Sequence, residues 1–494
     1  MSYARKAVKG TIIVFTISLL AAFLGYLIRI VLARNLTTKE YGLFFAVFTL
    51  INLGGSIRKF GLSQALVKYI PEFQVKKKLE QIKNAIVTVL GFYVISVLLL
   101  ASLLILFSNF LAVHYFKDPA ATTLLLCFVL IFILGPFKQI LRTIFNAFQN
   151  VFLFSLMYLV ENLLIFLFSI LFFIFKLKLY APVFAYILAY ILSFTLFFPF
   201  LLKSFPFFKY KFKFSKNLTK KLFYFGVPTM LSGIGGIIIL YTDTLILTYF
   251  GTLEEVGIYN VVVPTAMLLN FFGNSITQVI FPMISELWSK NLRKQIALGV
   301  RLLQKYSFVL VLPAALALFS YPSLLITLFF GTKYVAGATT LRLLSIGMVF
   351  FLVAGINMTV LSGIGRPKTT TKIMLAGALF NLVTNFYFIP KYGMLGAGIT
   401  SLASYLIILI LSVYYLRKFI KLQIPWQNWG KIGFASMVFI LIIHILSNIF
   451  SFDIYIEAIA FTSIAGAIYI GLLILFKTVQ ISEVKKVLFK QINP

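Results

Sequence analysis

Few ionisable side chains interrupt the long apolar runs of this sequence, and these few have the most capacity for chemistry. A charge inside a lipid bilayer costs free energy unless it faces a water-filled cavity or an opposite charge. Such residues are therefore candidates for binding a polar substrate within a membrane. Within the runs they are Arg29, Glu161, Asp243 and Arg342, and at the ends of runs they are Arg58, Lys59, Lys138 and Arg142. Alternative interpretations remain: Arg29 snorkels to the headgroups, Asp243 forms an ion pair inside a helix bundle, and the four residues at the ends of runs anchor the inner face.

Uncharged amides form a second set of candidates. Asn270, Asn274 and Gln278 recur at every fourth position, so they lie on one face of a predicted helix. Asn381 and Asn385 repeat this spacing further along the chain. A polar face on an apolar helix contacts either another helix or water. The pattern therefore predicts either interhelical hydrogen bonds or a water-filled passage.

Motifs for catalysis or cofactor binding are absent from the sequence. It has no glycine-rich phosphate-binding loop, and Cys127 is its only cysteine, which excludes a thiolate metal cluster. His114 and His444 lie far apart and would need further ligands to hold zinc. We therefore predict a protein that is not an enzyme and that has no catalytic residues, no cofactor and no metal.

The elements that must position the candidate residues are membrane-spanning helices. Of the 494 residues, 61% are hydrophobic and only 11% are charged, against about 25% charged residues in soluble domains. A helix needs about 20 apolar residues to cross a bilayer. We predict an all-α, polytopic membrane protein with about fourteen transmembrane helices. Their apolar runs lie near residues 10–34, 41–62, 84–107, 121–145, 152–175, 180–202, 222–249, 257–282, 304–330, 339–363, 371–389, 394–416, 430–450 and 455–476.

The basic residues indicate which ends of these helices face the cytoplasm. The chain has 44 Lys and Arg against 12 Asp and Glu, a net charge of +32. Most of the basic residues fall in alternate predicted loops, as the positive-inside rule expects of cytoplasmic segments. Topology thus accounts for the basic excess, and we predict no nucleic-acid partner. We expect a multi-pass protein of the cytoplasmic membrane with both termini in the cytoplasm.

Two segments 215 residues apart share one pattern. TTKEYGLF at 37–44 and TLEEVGIY at 252–259 both have Thr, then Glu three residues on, then an apolar-Gly-apolar-aromatic run. Six predicted helices separate them, so both copies cross the membrane in the same direction. We predict two six-helix lobes as a parallel repeat, plus two C-terminal helices. The predicted domains are an N-terminal lobe at 1–202, a basic cytoplasmic linker at 203–221, a C-terminal lobe at 222–416, and the last two helices with a cytoplasmic tail at 417–494.

A series of short motifs, in order along the whole chain, resembles the Wzx-type oligosaccharide flippases. This family is the polysaccharide transporter branch of the multidrug/oligosaccharidyl-lipid/polysaccharide exporter superfamily. The motifs include RIVLARNL at 29–36, EYGLF at 40–44, FGL at 60–62, FGVP at 225–228 with Asp243, VGIY at 256–259 and GIGRPK at 363–368. The segment FGLSQA at 60–65 is also similar to the lipid II flippases. By that resemblance, Arg29 and Arg58 are the leading lumen candidates.

The resemblance implies a two-lobed fold of the drug-exporter type with a cationic central cavity. It implies a flippase that moves a polyprenyl-(pyro)phosphate-linked oligosaccharide across the membrane by alternating access, for polysaccharide or glycan biosynthesis. The expected partners are that lipid-linked substrate, membrane lipids and glycan-assembly enzymes, and the expected state is a monomer. Three alternatives remain: a multidrug antiporter of the same fold, a membrane glycosyltransferase or ligase, and an assembly scaffold that does not transport. The antiporter would usually carry an acidic residue in its first helix, where this chain has none.

Overall fold

The computed structural model describes residues 3–420, 426–450 and 453–478, without the side chains of residues 3–13, 15, 271, 272, 274–276, 278 and 279. Over these residues the chain forms α-helices and short 3-10 helices, with no strand. Within the same residues, 12 helical stretches are long and apolar enough to span a membrane. The prediction of an all-α, polytopic membrane protein is confirmed.

The helices follow one another with short connections. The first ten are α1 (Tyr3–Asn35), α2 (Thr38–Ile57), α3 (Leu62–Val75), α4 (Leu79–Leu106), α5 (Ser108–His114), α6 (Ala120–Ala147), α7 (Val151–Ile174), α8 (Ala181–Ser204), α9 (Lys216–Phe250) and α10 (Leu253–Met267). The others are α11 (Asn270–Ser289), α12 (Arg293–Ser320), α13 (Pro322–Phe330), α14 (Ala338–Gly363), α15 (Pro367–Phe419), α16 (Trp426–Ile449) and α17 (Ile454–Leu475). The 3-10 helices span Lys178–Tyr180, Phe207–Lys209 and Thr332–Gly337.

Helix α15 is too long for one membrane passage. It has 53 residues, and its backbone leaves the helical conformation at Gly393, where φ is 55° and ψ is −134°. The parts before and after this kink correspond to the predicted runs 371–389 and 394–416. Helices α10 and α11 together take the place of the predicted run 257–282. The number of fourteen transmembrane helices stays a prediction.

The chain divides into two compact units. Unit 1 comprises residues 1–261 and 382–397, and unit 2 comprises residues 262–381 and 398–494. In unit 1, α7 packs against α1 and α8, α6 packs against α4 and α8, and α9 packs against α2 and α3. In unit 2, α14 packs against α11 and α12, and α16 packs against α12 and α17. The predicted boundaries of the two lobes stay a prediction.

Helix α3 is amphipathic and short. At 14 residues it is about 21 Å long, which is less than a bilayer requires. Its apolar residues recur at helical spacing and form a buried face against α4, α6 and α9; they are Leu62, Leu66, Tyr69, Ile70 and Phe73. Ser63 and Tyr93 share a hydrogen bond of 2.9 Å between their hydroxyl groups. This face fixes α3 to the longer helices around it.

Helices α2 and α10, which begin in the two repeat segments, have the same N-terminal capping box. The backbone N–H of Thr37 donates to Glu40 Oε2 at 2.9 Å, and the backbone N–H of Glu40 donates to Thr37 Oγ1 at 3.2 Å. Thr252 and Glu255 form the same reciprocal pair, at 3.2 Å in both directions. These bonds satisfy N–H groups that the first turn of a helix leaves unpaired. The sequence repeat thus has a structural counterpart.

The same two helices cross at equivalent glycines, Gly42 and Gly257. A Cβ atom at position 42 would overlap the carbonyl oxygen of Leu253, and one at position 257 would overlap the carbonyl oxygen of Thr38. Thr38 and Leu253 are themselves 215 residues apart, as the two glycines are. The crossing is therefore the same from both sides, and only glycine lets the backbones approach this closely.

Unit 2 contains a buried chain of polar side chains. Gln304 Nε2 donates to Asn357 Oδ1 at 2.7 Å, and Asn357 Nδ2 donates to Ser412 Oγ at 3.0 Å. All three residues are fully buried. They lie on α12, α14 and α15, so these hydrogen bonds join three helices where no water competes for the donors.

Candidate functional site

Arg58 lies at the end of α2 and is buried in unit 1, with 5% of its surface exposed. Its guanidinium carbon lies 4.9 Å from the ring centroid of Phe132 on α6. Gly135 leaves room for it, because a Cβ atom there would lie 3.1 Å from Arg58 Nη2. Among the described residues, Nε and Nη1 of Arg58 have no hydrogen-bond partner. Such donors can bind the oxygens of an anionic group.

Four more ionisable side chains lie around the C-terminal half of α6, on the side of Arg58. We call Arg58, Lys59, Lys138, Arg142 and Glu161 the α6 cluster. The ammonium of Lys59 is close enough to Arg58, Lys138 and Arg142 to be repelled by all three. Lys138 Nζ donates to Glu161 Oε1 on α7 and lies 3.3 Å from the ring centroid of Tyr190 on α8. The cluster thus holds four cations and one carboxylate, an excess of positive charge.

Arg142 is held by α7. Its Nε donates to the carbonyl oxygen of Phe154 at 3.3 Å. Its guanidinium carbon lies 4.5 Å and 4.4 Å from the ring centroids of Phe154 and Tyr158. Aromatic rings stabilise a guanidinium through their negative faces. These contacts fix its position beside a pocket.

This pocket, which we call the α6 pocket, has a volume of about 470 Å³. Helices α3, α6, α7 and α9 of unit 1 line it. Its polar lining includes Ser63, Gln64, Lys68, Gln139, Arg142 and Asn146, and no acidic side chain lies among the described residues that line it. Hydroxyl and amide groups can exchange hydrogen bonds with sugar hydroxyls, and the two cations attract a negative charge.

Most of the α6 pocket was missed by our sequence analysis, although a signal was present. Gln139, Arg142, Thr143 and Asn146 follow the spacing i, i+3, i+4 and i+7, which places them on one helical face. The apolar pairs Ile140-Leu141 and Ile144-Phe145 separate these polar positions, so the stripe does not stand out as a run. The stripe becomes evident only when the residues are grouped at the spacing of an α-helix.

Helix α3 is tied to α9 beside this pocket by an ion pair near the start of α9, ahead of the apolar run predicted at 222–249. Glu72 accepts hydrogen bonds from Lys76 at 2.8 Å and from Lys221 on α9 at 3.1 Å. The ammonium group of Lys76, which has the larger effect, and that of Lys221 hold the pKa of the Glu72 carboxyl below its usual range. The pair therefore joins two helices that line the α6 pocket.

Asp243 is buried elsewhere in unit 1, with 5% of its surface exposed. The hydroxyl of Tyr259 donates to its Oδ2 at 2.6 Å, and Asn385 Nδ2 donates to its Oδ1 at 2.7 Å. Both carboxylate oxygens thus accept a strong hydrogen bond, which lowers the cost of burying the charge. Asn385, predicted to lie on a polar face, contributes one of these bonds.

Arg29 is half-buried near the same helices. Its Nη1 donates to the carbonyl oxygen of Asn260 at 3.0 Å, and its guanidinium carbon lies 4.4 Å from the ring centroid of Phe45. Asn260 Nδ2 in turn contacts Thr244 Oγ1 at 3.4 Å. The predicted site residues of unit 1 therefore form two groups, Arg58 with Glu161 around α6, and Arg29 with Asp243 around α9 and α10.

The remaining predicted residues lie in unit 2. Asn270 Nδ2 lies 3.5 Å from Met348 Sδ. Arg342 is exposed, and its Nε donates to the carbonyl oxygen of Phe319 at the end of α12 at 3.2 Å. The side chains of Asn274 and Gln278 lie outside the described part of the chain. Among the described residues, no group of three or more His, Cys, Asp and Glu side chains could hold a metal.

Comparison of the sequence with known proteins gives a family and relatives. Residues 7–288 match the family described as polysaccharide biosynthesis protein. An uncharacterized membrane protein of Methanocaldococcus jannaschii is 32% identical over 523 positions, covering 100% of each chain. A probable low-salt glycan biosynthesis flippase of Haloferax volcanii is 23% identical over 219 positions, covering 44% of this chain and 46% of that protein. The similarity to that second relative thus extends over about half of each chain.

Comparison of the structure gives a related fold. The lipid II flippase MurJ, in its inward closed conformation, superposes with a TM-score of 0.76 at 17% sequence identity. The superposition covers 94% of this chain and 98% of that chain. At this level of identity the similarity shows a shared architecture over nearly the full length of both proteins.

Proposed function

This chain belongs to the polysaccharide biosynthesis protein family, and from that premise we propose that it is a flippase for lipid-linked oligosaccharides. The resemblance of its motifs to the Wzx-type flippases is confirmed by the family match and by a relative that is named as a flippase. The substrate would be an oligosaccharide joined to a polyprenol through phosphate or pyrophosphate. The protein would move it from the cytoplasmic to the outer leaflet by alternating access.

The buried guanidinium of Arg58 is the observation that carries this proposal. It is 5% exposed, and two of its three nitrogens find no acceptor among the described residues. A cation of this kind is costly in a membrane protein unless an anion can pair with it. The (pyro)phosphate of a lipid carrier supplies oxygens with the geometry that a guanidinium binds. We assign Arg58 the first contact with that group.

The α6 pocket supports the same proposal by its chemistry. It places Lys68 and Arg142 among amide and hydroxyl groups, which suits an anionic head followed by sugars. Glu161 balances part of the cluster's charge by pairing with Lys138. Arg29 is bonded to a backbone carbonyl, so we give it a secondary role in substrate binding. Asp243 would then act in gating, because it links α9, α10 and α15.

The charge of the pocket also distinguishes this function from drug export. A multidrug antiporter takes up cationic compounds, which acidic side chains attract. Within the described part of the chain, no acidic side chain lines the α6 pocket, and Lys68 and Arg142 would repel a cation. We therefore favour an anionic substrate. We further propose a monomer of the cytoplasmic membrane, with both termini in the cytoplasm, working beside glycan-assembly enzymes and not as an enzyme itself.

A reconstituted flipping assay tests the proposal. Purified protein is placed in vesicles that contain a fluorescent polyprenyl-pyrophosphate oligosaccharide, and a membrane-impermeant quencher reports how fast the label changes leaflet. We expect the wild-type protein to accelerate this exchange. We expect Arg58→Gln to reduce the rate about tenfold, because charged hydrogen bonds contribute about 1.5–3 kcal/mol. Arg366→Gln removes an exposed arginine and should leave the rate unchanged.

Two outcomes would argue against the proposal in different ways. If Arg58→Gln, inserted normally, flips the labelled lipid as fast as wild type, the assignment of Arg58 is wrong. If the wild-type vesicles show no exchange of the glycolipid but accumulate a cationic dye, the function itself is wrong. The same vesicles serve for both measurements.

A further inference from the structure

A basic pocket in unit 2 lies far along the chain from the residues assigned above. It has a volume of about 570 Å³ and is formed by the first turns of α12 and the last turn of α15. Five of its lining residues are cationic: Arg293, Lys294, Arg301, Arg417 and Lys418. The other lining residues that the structure describes are apolar, and none of them is acidic. The predicted topology places this end of both helices at the cytoplasmic surface.

Two cations lie at the N-terminus of α12, where the helix dipole disfavours positive charge. Arg293 and Lys294 occupy its first two positions, and no side chain of the described residues caps this end. The N-terminus of a helix carries partial positive charge, so it favours anions and repels cations. The nearby Glu286 pairs with Lys290 at 2.6 Å instead, and Arg293 lies over the ring of Trp288, 4.9 Å from its centroid. This end of α12 thus combines two positive side chains with a positive helix end.

An apolar groove continues from the basic pocket. It has a volume of about 580 Å³ and lies between the last turns of α15 and the start of α16. Arg417 and Lys418 line both the groove and the pocket. The other groove residues include Leu409, Ile410, Val413, Trp426 and Trp429. The two tryptophan rings lie 5.5 Å apart between centroids, and tryptophan is typical of the membrane interface.

We propose that this site binds one anionic phospholipid of the cytoplasmic leaflet, as a resident lipid and not as the transported substrate. The phosphate would contact the five cations and the N-terminus of α12, and the acyl chains would follow the groove past Trp426 and Trp429. A free anion would use the pocket alone and leave the groove without a role. Anionic headgroups concentrate near clustered basic residues at this surface, and the groove gives their hydrocarbon chains an adjoining apolar surface.

Tryptophan fluorescence can test this binding directly, because the chain has only 3 tryptophans. In a Trp288→Phe background the emission comes from Trp426 and Trp429. The full-length protein is reconstituted into phosphatidylcholine bilayers that contain a fixed fraction of phosphatidylglycerol, with bromine placed on the acyl chains of one lipid or the other. We expect brominated phosphatidylglycerol to quench more strongly than brominated phosphatidylcholine at the same fraction, by about threefold.

Matched variants separate the site from general surface charge. Arg417→Gln with Lys418→Gln should reduce the quenching ratio to about one. Lys209→Gln with Lys211→Gln removes two basic residues from the predicted cytoplasmic segment 203–221 and should preserve it. The conservative Arg417→Lys should also preserve the ratio, which guards against a folding defect. These comparisons need no lipid-linked oligosaccharide, so they are independent of the proposed transport function.

Two results would overturn the inference. The first is a wild-type ratio of about one, since the groove would then have no preference for an anionic lipid. The second is a preference that survives both Arg417→Gln with Lys418→Gln and Arg293→Gln with Lys294→Gln. Loss of the preference on addition of soluble glycerol phosphate would support the inference, because this headgroup analogue would compete for the same cations.

Discussion

Glu161 is the acidic member of the α6 cluster, and its partner Lys138 is the cation it neutralises. Both residues are mostly buried, with side-chain exposures of 9% and 16%. Removing one partner of a buried ion pair leaves the other charge without compensation, whereas removing both can be nearly neutral. The pair therefore stabilises unit 1 mainly by preventing an unpaired charge.

A double-mutant cycle should show this coupling. We expect Glu161→Gln to lower the free energy of unfolding by about 3 kcal/mol and Lys138→Gln to have a comparable effect. We expect the double variant to lose less than the sum of the two, with a coupling energy of about 2 kcal/mol. Thermal or denaturant unfolding in one detergent gives all four values.

The exposed pair Glu286–Lys290 is the matched control. Its side chains are 64% and 60% exposed, and surface pairs at this spacing contribute roughly 0.3–0.5 kcal/mol. The same cycle with Glu286→Gln and Lys290→Gln should give a coupling near that small value. Equal coupling in the two cycles would mean that Glu161 is not held in a water-excluded environment.

Residue type alone allowed part of the site to be predicted. Arg58 and Glu161 stand out because charges are rare inside apolar runs, and both are buried in the structure. Their surroundings were not predictable in the same way. Lys138 is 23 residues from Glu161 in the sequence, and nothing local indicates that α6 and α7 bring them together. In the sequence, Lys68 looks like an ordinary basic residue of a cytoplasmic loop, yet it lines the α6 pocket.

At the scale of helices, the crossing of α3 and α9 depends on glycine. Gly61 precedes α3 with φ at +65°, and a Cβ atom there would overlap the carbonyl oxygen of Gly226 on α9. A Cβ at Gly226 would in turn lie 2.7 Å from the carbonyl oxygen of Phe60. Both glycines therefore set the distance between two helices that line the α6 pocket.

We expect Gly61→Ala to destabilise the protein by about 3 kcal/mol, because a left-handed backbone and a backbone overlap each cost roughly 1–3 kcal/mol. The flipping rate should also fall, since α3 must move away from α9. The control is Gly233→Ala within α9, where no described atom beyond the adjacent residues and the helix's own backbone lies within 4 Å of the added carbon. That variant should be neutral or slightly stabilising. Unfolding curves that rank the two in the opposite order would contradict this account of the crossing.

The helices themselves were largely predictable, because about 20 apolar residues are needed for each crossing. The interruption at Gly393 falls between the predicted runs 371–389 and 394–416. The break between α10 and α11 was not predicted, because it depends on how the surrounding helices pack, and hydropathy alone does not report packing. The capping boxes are an exception, since Thr37 with Glu40 and Thr252 with Glu255 carry a local signal at the start of their helices.

For the whole molecule, the distribution of basic residues predicts one orientation in the membrane. Cys127 is the only cysteine, so a Cys127→Ser background permits single labels elsewhere. Ala120 begins α6 in a predicted outer loop, and Lys211 lies in the predicted cytoplasmic segment; both are exposed. In intact cells, a membrane-impermeant maleimide should label Ala120→Cys. It should label Lys211→Cys only after the cells are permeabilised.

The opposite labelling pattern would place the termini outside and invert the proposed direction of transport. Labelling of both positions in intact cells would instead mean that the reagent had entered. A cytoplasmic protein of the same host, probed in parallel, distinguishes these two cases. The experiment requires only inserted protein and does not depend on transport activity.

The crossing of Gly42 with Gly257 bears on how such a chain could arise. Gly42 meets the carbonyl oxygen of Leu253, and Gly257 meets that of Thr38. Because Thr38 and Leu253 are equivalent positions of the repeat, the contact has the form of an isologous interface between two copies of a half-length protein. In such a dimer, one substitution alters both sides of the interface at once. Fusion of two duplicated genes removes that constraint. Asp243 and Arg29 then occupy non-identical surroundings, an asymmetry that two identical subunits cannot encode.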